Sequence, residues 1–458
     1  MSWSAPDQRK TGRPAEPERG RPERGRLPRL LPDGFAAEPA DLTEHLARHG
    51  PLPAWGGSRR QREELIAEVE LAGLAGRGGA GFPTARKLAA VASAGRHAIV
   101  LANGTEGEPL SAKDKVLMAQ APHLVLDGAV IAAGLVGAGE AVIVAHPAVS
   151  DIVAAAAAQR RRARADRVRL RVVPAADRFV AGEASAVMNW IGSGVPKPTP
   201  PRLSEHGLHG RPTLVQNVET LAHLALIARH GADWFRAVRT QREPGSMLVT
   251  LAGAVRRPGV YEIAIGAAVT AVLDQAGGPD GRLGAFLIGG YFGSWVEASR
   301  AAQLALSTES LGAVGASVGA GLILALPADA CGLVAAARVT RYLADESAGQ
   351  CGPCVFGLDA VAAQMERLAA GRGPRAAGPT WTGSIAGSAS SGRAAALAST
   401  RAARSRWCAA RWRSSAPKST STRWAGAAEP GGSRDHARPS RRSAAGEHDR
   451  LRGSRAVR

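Results

Sequence analysis

Cysteines, long apolar runs and acidic side chains are all scarce in this sequence, and each scarcity narrows the class of protein. The 458 residues include only four cysteines, which are too few and too unevenly placed for a disulfide framework and which suit a reducing cytoplasm. No uncharged apolar run reaches about 18 residues, the length that a membrane-spanning helix needs. The N-terminal segment also lacks the apolar stretch of a secretory signal. We therefore expect a cytoplasmic protein without direct membrane insertion.

The excess of basic over acidic residues is concentrated near the C-terminus. The chain carries 58 Lys and Arg against 39 Asp and Glu, a formal net charge of +19. Residues 372–458 hold 17 Arg and one Lys against four acidic residues, a charge of +14 that leaves +5 for all the rest. Because the basic character belongs to this tail, it does not indicate a nucleic-acid partner for the folded part.

The tail, residues 373–458, combines arginine, serine and tryptophan without sustained periodicity. Disordered segments are normally poor in aromatic residues, yet the tail contains Trp381, Trp407, Trp412 and Trp424. We interpret it as a basic low-complexity segment, and we hypothesise that it is a frame-shifted reading of a GC-rich coding region. A weaker alternative is that its arginines and tryptophans bind nucleic-acid phosphates and bases, although no recognised module supports this.

The rest of the sequence divides into four parts by pattern. Residues 1–58 are rich in Pro, Arg and Glu and are expected to be largely disordered. Short apolar runs alternate with helical patterns over residues 59–240, which predicts an α/β domain with a parallel sheet. Residues 241–328 contain short β-like runs, Pro-Gly and Gly-Gly turns and one helix, which predicts a small α+β module. Residues 329–372 have a helical pattern.

A glycine-rich loop, GLAGRGGAGFPTARK, covers residues 73–87. Three of its glycines match the spacing G-x-G-x-x-G: Gly76, Gly78 and Gly81. Such a loop lets backbone N–H groups approach a phosphate, but a helix precedes it where a dinucleotide-binding crossover has a strand. Arg77 and Lys87 can neutralise a phosphate, and Phe82 can stack on a planar ring. These flanking residues favour a ligand site over the alternative of a plain surface loop.

Polar residues also stand where several predicted elements meet. They are Asn103, Glu106, Glu108, Gly182, Glu183, Gln216 and Asn217. The first three follow the first predicted strand, the next two follow the third, and the last two stand at the predicted start of an apolar helix. Each stretch is by itself compatible with a solvated turn. Because ligands gather at the carboxyl ends of parallel strands, the set together with the glycine loop favours one nucleotide-like pocket.

Six sequence blocks occur in a fixed order between about residues 60 and 370. They are GLAGRGGAGFPTARK, NGTEGEP, GEASAVMNWI, PTLVQNVETL, LAGAVRRPGVYE and ESAGQCGPC. In sequence and in order they resemble the NADH-binding flavoprotein subunit of respiratory complex I. The resemblance implies an α/β flavin domain with a parallel sheet that holds FMN, a ubiquitin-like β-grasp (SLBB-type) domain, and a C-terminal helical bundle that carries a 4Fe–4S cluster.

The resemblance also implies a function and a site. NAD(P)H would pass a hydride to FMN, and electrons would continue to a partner protein or an iron–sulfur centre in a complex at the membrane periphery. The implied cofactor-binding residues are Gly76, Arg77, Gly78, Gly79, Gly81, Lys87, Asn103, Glu106, Gly182, Glu183, Gln216 and Asn217. Phe82 and Glu108 would lie on the NADH side. The protein would bind and orient, while the hydride chemistry would belong to the cofactor.

The chain departs from the family pattern mainly on the dinucleotide side. Thr105 stands where the family usually has an aspartate, and Phe179 and Ala184 stand for a tyrosine and a glutamate. Leu88 occupies a position where an aromatic residue is expected. Carboxylates that bind ribose hydroxyls contribute about 1–3 kcal/mol each, so we expect weaker NADH binding or a different donor.

The stretch ESAGQCGPC contains two of the four cysteines, Cys351 and Cys354. The family motif has three cysteines here, and Ala348 stands at the first of them. A cubane cluster normally needs four thiolates, and Cys408 is the one candidate for the last. We predict Cys351 and Cys354 as metal ligands and an ordinary 4Fe–4S cluster as absent or labile. A thioredoxin-like redox pair would need a βαβ context, and Cys331 is interpreted as a structural thiol.

Two functions of different class remain open. The first is a flavin-dependent oxidoreductase subunit with NAD(P)H as donor and a partner protein as acceptor. The second is a degenerate, non-catalytic paralogue that serves as a scaffold or ligand-binding subunit, which Thr105, Ala184 and Ala348 favour. The corresponding component of the ion-pumping ferredoxin:NAD oxidoreductase shares NG-x-E-x-EP, but its two ferredoxin-type cysteine runs are absent from this sequence.

Overall fold

The architecture follows the order of patterns in the sequence, from an α/β domain to a second sheet and a helical pair. The computed structural model describes residues 25–32, 39–53, 57–95, 97–199, 207–238, 240 and 242–372. The predicted tail, and Cys408 with it, lies outside the described residues. Both sheets fall within the ranges predicted for their domains, whose boundaries stay predictions.

The first sheet has four parallel strands in the order β3-β2-β1-β4. The strands are β1 (Ile99–Gly104), β2 (Glu140–Ala145), β3 (Arg169–Pro174) and β4 (Thr213–Asn217). The α-helices of the same part of the chain are α1 (Leu42–His49), α2 (Arg59–Ala72), α3 (Thr84–Ser93), α4 (Lys113–Gln120), α5 (Pro122–Val136), α6 (Pro147–Arg162), α7 (Ala184–Ser193) and α8 (Val218–Arg236). A 3₁₀ helix, Phe179–Gly182, precedes α7, and a second spans Leu208–Gly210. The predicted parallel α/β layer is confirmed.

Burial on both faces explains why the central strands read as continuous apolar runs. Val100 and Ala102 of β1 belong to the larger core with α2, α3, α5 and α8. Ile99 and Leu101 face the other way and belong to a smaller core with α7. Side chains alternate between the faces of a strand, so a strand covered on both sides needs apolar residues at every position.

Helix α5 lies deep in the larger core and meets α8 at close range. A Cβ atom placed on Gly128 would overlap the Leu221 carbonyl oxygen, so only glycine permits this approach of the two helix backbones. Within the described part of the chain, no single helix is long and apolar enough to cross a membrane. The pair α4 and α5 reaches that length and composition only when taken together, and it is bent by 96°.

The second sheet has five strands of mixed direction in the order β6-β5-β9-β7-β8. They are β5 (Ser246–Gly253), β6 (Gly259–Ala264), β7 (Leu283–Ile288), β8 (Ser294–Glu297) and β9 (Leu322–Pro327), accompanied by α9 (Val269–Gln275), α10 (Ala298–Ala301) and α11 (Thr308–Gly312). β9 lies between β5, to which it is parallel, and β7, to which it is antiparallel. The predicted α+β module is confirmed, although the sequence analysis predicts neither β8 nor β9.

The helical region consists of two packed helices with an irregular connection. Helices α12 (Gly332–Asp345) and α13 (Leu358–Ala369) are joined by a loop and a π-helical turn, Pro353–Gly357. Ala336, Ala337 and Met365 form their small shared core. Arg341 of α12 donates to Asp359 and Glu366 of α13, over 2.6 and 2.8 Å, which fixes the pair side by side.

Part of the N-terminal region is described by the structure and packs on the α/β domain. The composition of residues 1–58 predicts a largely disordered segment, yet residues 25–32 and 39–53 are described. Helix α1 begins with a capping box at Asp41, and its His45 contacts Asp127 of α5 through Nε2 and Oδ2 over 2.7 Å. A few tertiary contacts of this kind outweigh a composition that favours disorder.

A second anchor of the N-terminal region lies in the stretch before α1. The backbone N–H groups of Arg29 and Leu30 donate to one oxygen of Glu262, over 2.7 and 2.8 Å. The Arg29 guanidinium donates to the carbonyls of Phe235 and Trp234 and stacks 3.9 Å from the centre of the Trp234 ring. This segment therefore belongs to the folded unit.

Asp127 is the centre of a buried ionic cluster under α1. Arg160 and Arg229 donate to its two oxygens over 2.7 and 2.5 Å, and His45 holds the second oxygen as well. Burial alone would raise the pKa of Asp127, but these three partners together hold it well below its usual range. The cluster joins α1, α5, α6 and α8 through one carboxylate.

Candidate functional site

The glycine-rich loop lies between α2 and α3 and is closed by its own backbone. The Gly76 N–H donates to the Phe82 carbonyl over 2.9 Å. Gly79 and Gly81 have φ angles of 105° and 63°, which glycine adopts without the steric cost that other residues incur. A Cβ atom on Gly81 would meet nothing within 4 Å, so the loop faces open space at this point.

Arg77 is held inside this loop rather than on its surface. Its backbone N–H donates to Thr220 Oγ1 over 2.9 Å. Its Nε and Nη2 atoms are buried and have no hydrogen-bond acceptor among the described residues. Burial lowers the pKa of Arg77, an effect that the carboxylates of Glu219 and Glu243 oppose. A buried donor without an acceptor is costly, so this guanidinium is suited to an oxygen ligand.

The loop approaches the carboxyl ends of two neighbouring strands. Asn103 of β1 and Asn217 of β4 are paired in register at that edge of the sheet. A Cβ atom on Gly78 would lie 3.4 Å from the Cβ of Asn217. The structure therefore brings the glycine loop and two of the predicted polar stretches to one place.

Gln216 and Asn217 lie at this edge because they end a strand that the sequence analysis does not predict. They end β4, whereas the prediction puts them at the start of a helix, which in fact begins at Val218. Asn217 caps α8 by accepting from the Glu219 N–H over 3.0 Å, and it donates to Asp114 Oδ2 over 2.7 Å. Gln216 is 4% exposed, and its Nε2 has no acceptor within the described chain.

Asn103 connects β1 to the 3₁₀ helix before α7. Its Nδ2 donates to the Gly182 carbonyl over 2.9 Å. Its Oδ1 accepts from the N–H and the hydroxyl of Thr105, over 3.2 and 2.7 Å. An ionised aspartate at position 105 could not donate in this way, so Thr105 changes the local hydrogen bonding. A Cβ atom on Gly182 would meet nothing within 4 Å, so Gly182 also borders open space.

Glu106 and Glu183 both bind the N-terminus of a helix. Glu106 accepts from the N–H groups of Asp114 and Lys115 over 3.1 and 2.9 Å, at the start of α4. Burial raises the pKa of Glu106, and the Asp114 carboxylate adds to the effect. Glu183 accepts from the Ser185 N–H over 2.8 Å at the start of α7. Both carboxylates lie near the predicted pocket, but their hydrogen bonds stabilise the helices beside it.

Lys87 and Phe82 stand at the outer side of the glycine loop. Lys87 Nζ donates to the Val215 carbonyl over 3.2 Å and lies 5.8 Å from the centre of the Phe82 ring. Burial lowers the pKa of Lys87. The Phe82 ring is 50% exposed. The cation is therefore near the sheet edge, and the ring is accessible, as stacking on a ligand requires.

Glu108 contacts the turn between β7 and β8 of the second sheet. It accepts from the Tyr291 N–H over 3.2 Å. A Cβ atom on Gly290 would overlap its Oε2, so this approach depends on glycine. Burial raises the pKa of Glu108 to about 7, although the Tyr291 N–H opposes the shift. The group can therefore change its charge near neutral pH.

Four aromatic side chains gather beside Glu108, and of these only Phe179 is named in the sequence analysis, as a departure from the family pattern. Phe179 stacks on Phe292 with ring centres 5.7 Å apart, and Tyr342 contacts Phe179 and Tyr291 edge-on. The Tyr342 hydroxyl donates to the Gly107 carbonyl over 2.8 Å. They come from the 3₁₀ helix, the β7–β8 turn and α12, so only the fold brings them together.

Lys113, Asp114 and Glu219 form a buried ionic triad near the sheet edge, and the sequence analysis does not predict it. Lys113 Nζ lies 2.8 Å from Asp114 Oδ1 and 2.8 Å from Glu219 Oε2. Burial disfavours the ammonium, but the two carboxylates outweigh this and raise the pKa of Lys113. Glu219 also accepts from the Leu248 N–H of β5 over 2.9 Å. The triad therefore joins the α/β domain to the second sheet.

The two predicted metal ligands lie together where the α12–α13 loop enters the π-helical turn. Cys351 and Cys354 are both free thiols and stand three residues apart. The Cys354 N–H and thiol lower the pKa of Cys351, while the neighbouring Cys351 thiol raises the pKa of Cys354. No group of three or more His, Cys, Asp or Glu in the described part of the chain is placed to hold a metal ion. This donor set does not fit an ordinary 4Fe–4S cluster.

Fold and site together define an α/β nucleotide-binding domain of the flavoprotein type, joined to a β-grasp module and a helical pair. Three family models match the chain in this order. Residues 69–226 match the Nuo51 FMN-binding domain, residues 248–285 match the SLBB domain, and residues 334–386 match the NADH-ubiquinone oxidoreductase-F iron-sulfur binding region. The predicted identity of the three parts is confirmed.

Curated relatives agree with the family models. The chain is 34% identical over 335 residues to the F subunit of NADH-quinone oxidoreductase from Mycobacterium tuberculosis, covering 68% of this chain and 74% of that protein. It is 30% identical over 330 residues to the second F subunit of NADH-quinone oxidoreductase from Rhizobium meliloti, covering 68% and 78%. The chain therefore belongs to the family of NADH-quinone oxidoreductase F subunits, as its sequence blocks predict.

A solved structure shows the same fold. A chain of the NAD⁺-reducing [NiFe]-hydrogenase in the air-oxidised state matches with a TM-score of 0.63 and 34% identity. The match covers 69% of this chain and 55% of the hydrogenase chain, so this chain spans about half the length of that relative.

The residues at the sheet edge fit the FMN that the family implies. Unpartnered buried donors, Arg77 and Gln216, offer hydrogen bonds to a ligand's oxygens. Gly81 and Gly182 border open space in which no side chain intrudes. The chain thus combines a sheet edge whose buried donors are available with a cysteine loop that lacks a third thiol.

Proposed function

We propose that this chain binds FMN at the carboxyl edge of its parallel sheet and takes a hydride from NAD(P)H onto the flavin. The observation that carries the proposal is the convergence of the glycine loop with the ends of β1 and β4, where buried donors lack acceptors. When bound, FMN supplies the redox chemistry, accepting electrons as a pair and releasing them singly. The residues of this chain bind, orient and exclude water.

Each part of the edge has a distinct task in this proposal. Backbone N–H groups of the glycine loop, with Arg77 and Lys87, would hold the phosphate. The Gln216 amide would meet a polar edge of the flavin ring, and Asn103 would hold Gly182 in place beside it. Each of these tasks uses a donor or a bond that is already in position.

The donor would enter from the side of Glu108 and Phe82. The accessible Phe82 ring can stack on a planar group, and the partly exposed rings beside Glu108 add further aromatic surface at this entry. With Thr105 and Ala184 in place of two acidic residues, fewer carboxylates are available for ribose hydroxyls. We therefore propose that NADH binds more weakly than a site with both carboxylates would allow, by about 1–3 kcal/mol for each.

Electrons would leave for an iron–sulfur centre on a partner protein in a complex at the membrane periphery. The named relatives are quinone oxidoreductase subunits, and a quinone is the proposed final acceptor of such a complex. Reduction of a quinone analogue by the chain alone would contradict the need for a partner. Reduction only after a purified partner is added would support it.

The experiment for the flavin proposal uses purified full-length protein. We expect a flavin spectrum, spontaneous or after reconstitution with FMN, that NADH bleaches without oxygen. Lys87→Met should raise the Kd for FMN about tenfold or more, because a charged hydrogen bond contributes about 1.5–3 kcal/mol. Arg86→Met on the same helix is the matched control, since Arg86 is exposed. Protein that cannot be reconstituted would favour the alternative of a non-catalytic scaffold.

A further inference from the structure

The position of Cys331 decides how many thiols the chain can bring to one place. The sequence has four cysteines, and a cubane cluster takes four thiolates. Cys331 caps the start of α12, whereas Cys351 and Cys354 follow its end. The 14 residues of α12 rise about 20 Å at about 1.5 Å per residue. Even with Cys408 added, the loop can gather no more than three thiols of this chain.

The two cysteines of the loop lie three residues apart on one turn of backbone. The Val355 N–H donates to the Cys351 carbonyl over 2.9 Å, so the backbone makes a helical turn through this stretch. Residues three apart on such a turn present their side chains on the same side of the backbone, so the two thiols are neighbours. Cys351 is exposed and Cys354 is partly buried, so a reagent from solvent meets Cys351 first.

The surrounding contacts hold the loop in place independently of any metal. The Ser347 hydroxyl donates to the Cys354 carbonyl over 3.1 Å and accepts from the Gly349 N–H over 3.2 Å. Gln350 Nε2 donates to the Pro198 carbonyl over 2.9 Å. Two thiols are thus kept adjacent by hydrogen bonds that need no cluster.

We propose that Cys351 and Cys354 form a reversible dithiol–disulfide pair, which exchanges with low-molecular-weight disulfides such as glutathione disulfide. The proposal goes beyond the flavin function and does not depend on it. It differs from the thioredoxin-like pair considered above, which needs a βαβ setting, because the two cysteines lie here at a helical turn.

The exchange balances in two steps. The Cys351 thiolate attacks one sulfur of glutathione disulfide, which forms a mixed disulfide and releases one glutathione thiolate. The Cys354 thiolate then attacks the Cys351 sulfur, which forms the Cys351–Cys354 bond and releases the second glutathione. The two protein thiols lose two protons and two electrons, and glutathione disulfide becomes two glutathione molecules.

The experiment counts thiols in the reduced full-length protein before and after glutathione disulfide is added. We expect free thiols to fall from four to two, with a mass loss of two hydrogens and no retained glutathione. Peptide mapping should place the bond between Cys351 and Cys354. Cys354→Ser should instead retain one glutathione on Cys351, and Cys331→Ser should still form the bond as the matched control.

Two outcomes would overturn the proposal. One is stable glutathione on both cysteines of the wild-type protein without a bond between them. The other is purified protein with about four irons and four sulfides per chain and both thiols protected from alkylation. No readout uses flavin or NADH, so the failure of either proposal is distinguishable from that of the other.

Discussion

Removal of the Lys113 ammonium should destabilise the protein far more than removal of an exposed cation. The side chains of Lys113, Asp114 and Glu219 are 3%, 7% and 0% exposed, and both contacts are 2.8 Å long. Lys113→Met keeps most of the side-chain length but leaves two buried carboxylates without the ammonium that contacts both of them. Removing one partner of a buried ion pair costs about 3–5 kcal/mol in unfolding free energy.

The assay is urea unfolding followed by circular dichroism, with the slope compared between variants. Arg60→Met is the matched control. Arg60 Nε lies 2.7 Å from Glu64 Oε1, which is closer than either Lys113 contact, but these side chains are 88% and 52% exposed. We expect the control to leave the unfolding midpoint unchanged, because water and salt screen exposed pairs. Burial, and not contact distance, then accounts for the difference.

A double variant separates the charge from the packing. Glu219→Gln removes one carboxylate and keeps an oxygen that can accept from the Leu248 N–H. Combined with Lys113→Met, it should recover part of the lost stability, since only Asp114 then remains uncompensated. A loss of less than about 1 kcal/mol for Lys113→Met alone would refute the reasoning, because that is the range of an exposed pair.

Three further predictions concern the rim of the site. Burial raises the pKa of Glu108 from 4.5 to about 7. The ligand-free protein should therefore lose up to roughly 3 kcal/mol of unfolding free energy as the pH rises between these values. Glu108→Gln should abolish that loss in unfolding curves. Gly81→Ala should lower the unfolding free energy by about 1 kcal/mol, because Gly81 has a positive φ. Gly182→Ala should leave the unfolding free energy unchanged but weaken FMN binding in a titration. Equal losses of stability in the two variants would contradict this. Tyr342→Phe should lower the melting temperature modestly by losing its bond to Gly107, an idea that an unchanged melting temperature would contradict.

The local sequence pattern is sufficient to predict the helix before the glycine loop and the first three strands of the parallel sheet. The alternation of apolar runs with helical periods predicts β1, β2 and β3, and the helix before the loop appears as α2 (Arg59–Ala72). Asn103 could be assigned to the site because it ends a buried strand, and strand ends meet at one edge. These inferences depend on neighbours in sequence.

Other features depend on residues that are distant in sequence. β4 continues directly into α8 without a turn residue between Asn217 and Val218, so the pattern looks like one apolar helix. β9 completes the second sheet only by pairing with two strands from separate segments. Arg29 is ordered by Glu262, which lies 233 residues away. Composition cannot reveal pairings of this kind.

Two of the departures from the family pattern, Thr105 and Ala348, have unequal physical consequences. Thr105 satisfies Asn103 through its own hydroxyl, so the loop absorbs the change and the sheet edge still forms. Ala348 removes a thiol, and among the described residues nothing replaces it. A dithiol exchanges electrons in pairs, whereas the family's electron exit through a cluster carries them singly. If both proposals hold, electrons from the flavin pass directly to a centre on the partner protein, and the thiols of this chain respond to the surrounding redox state.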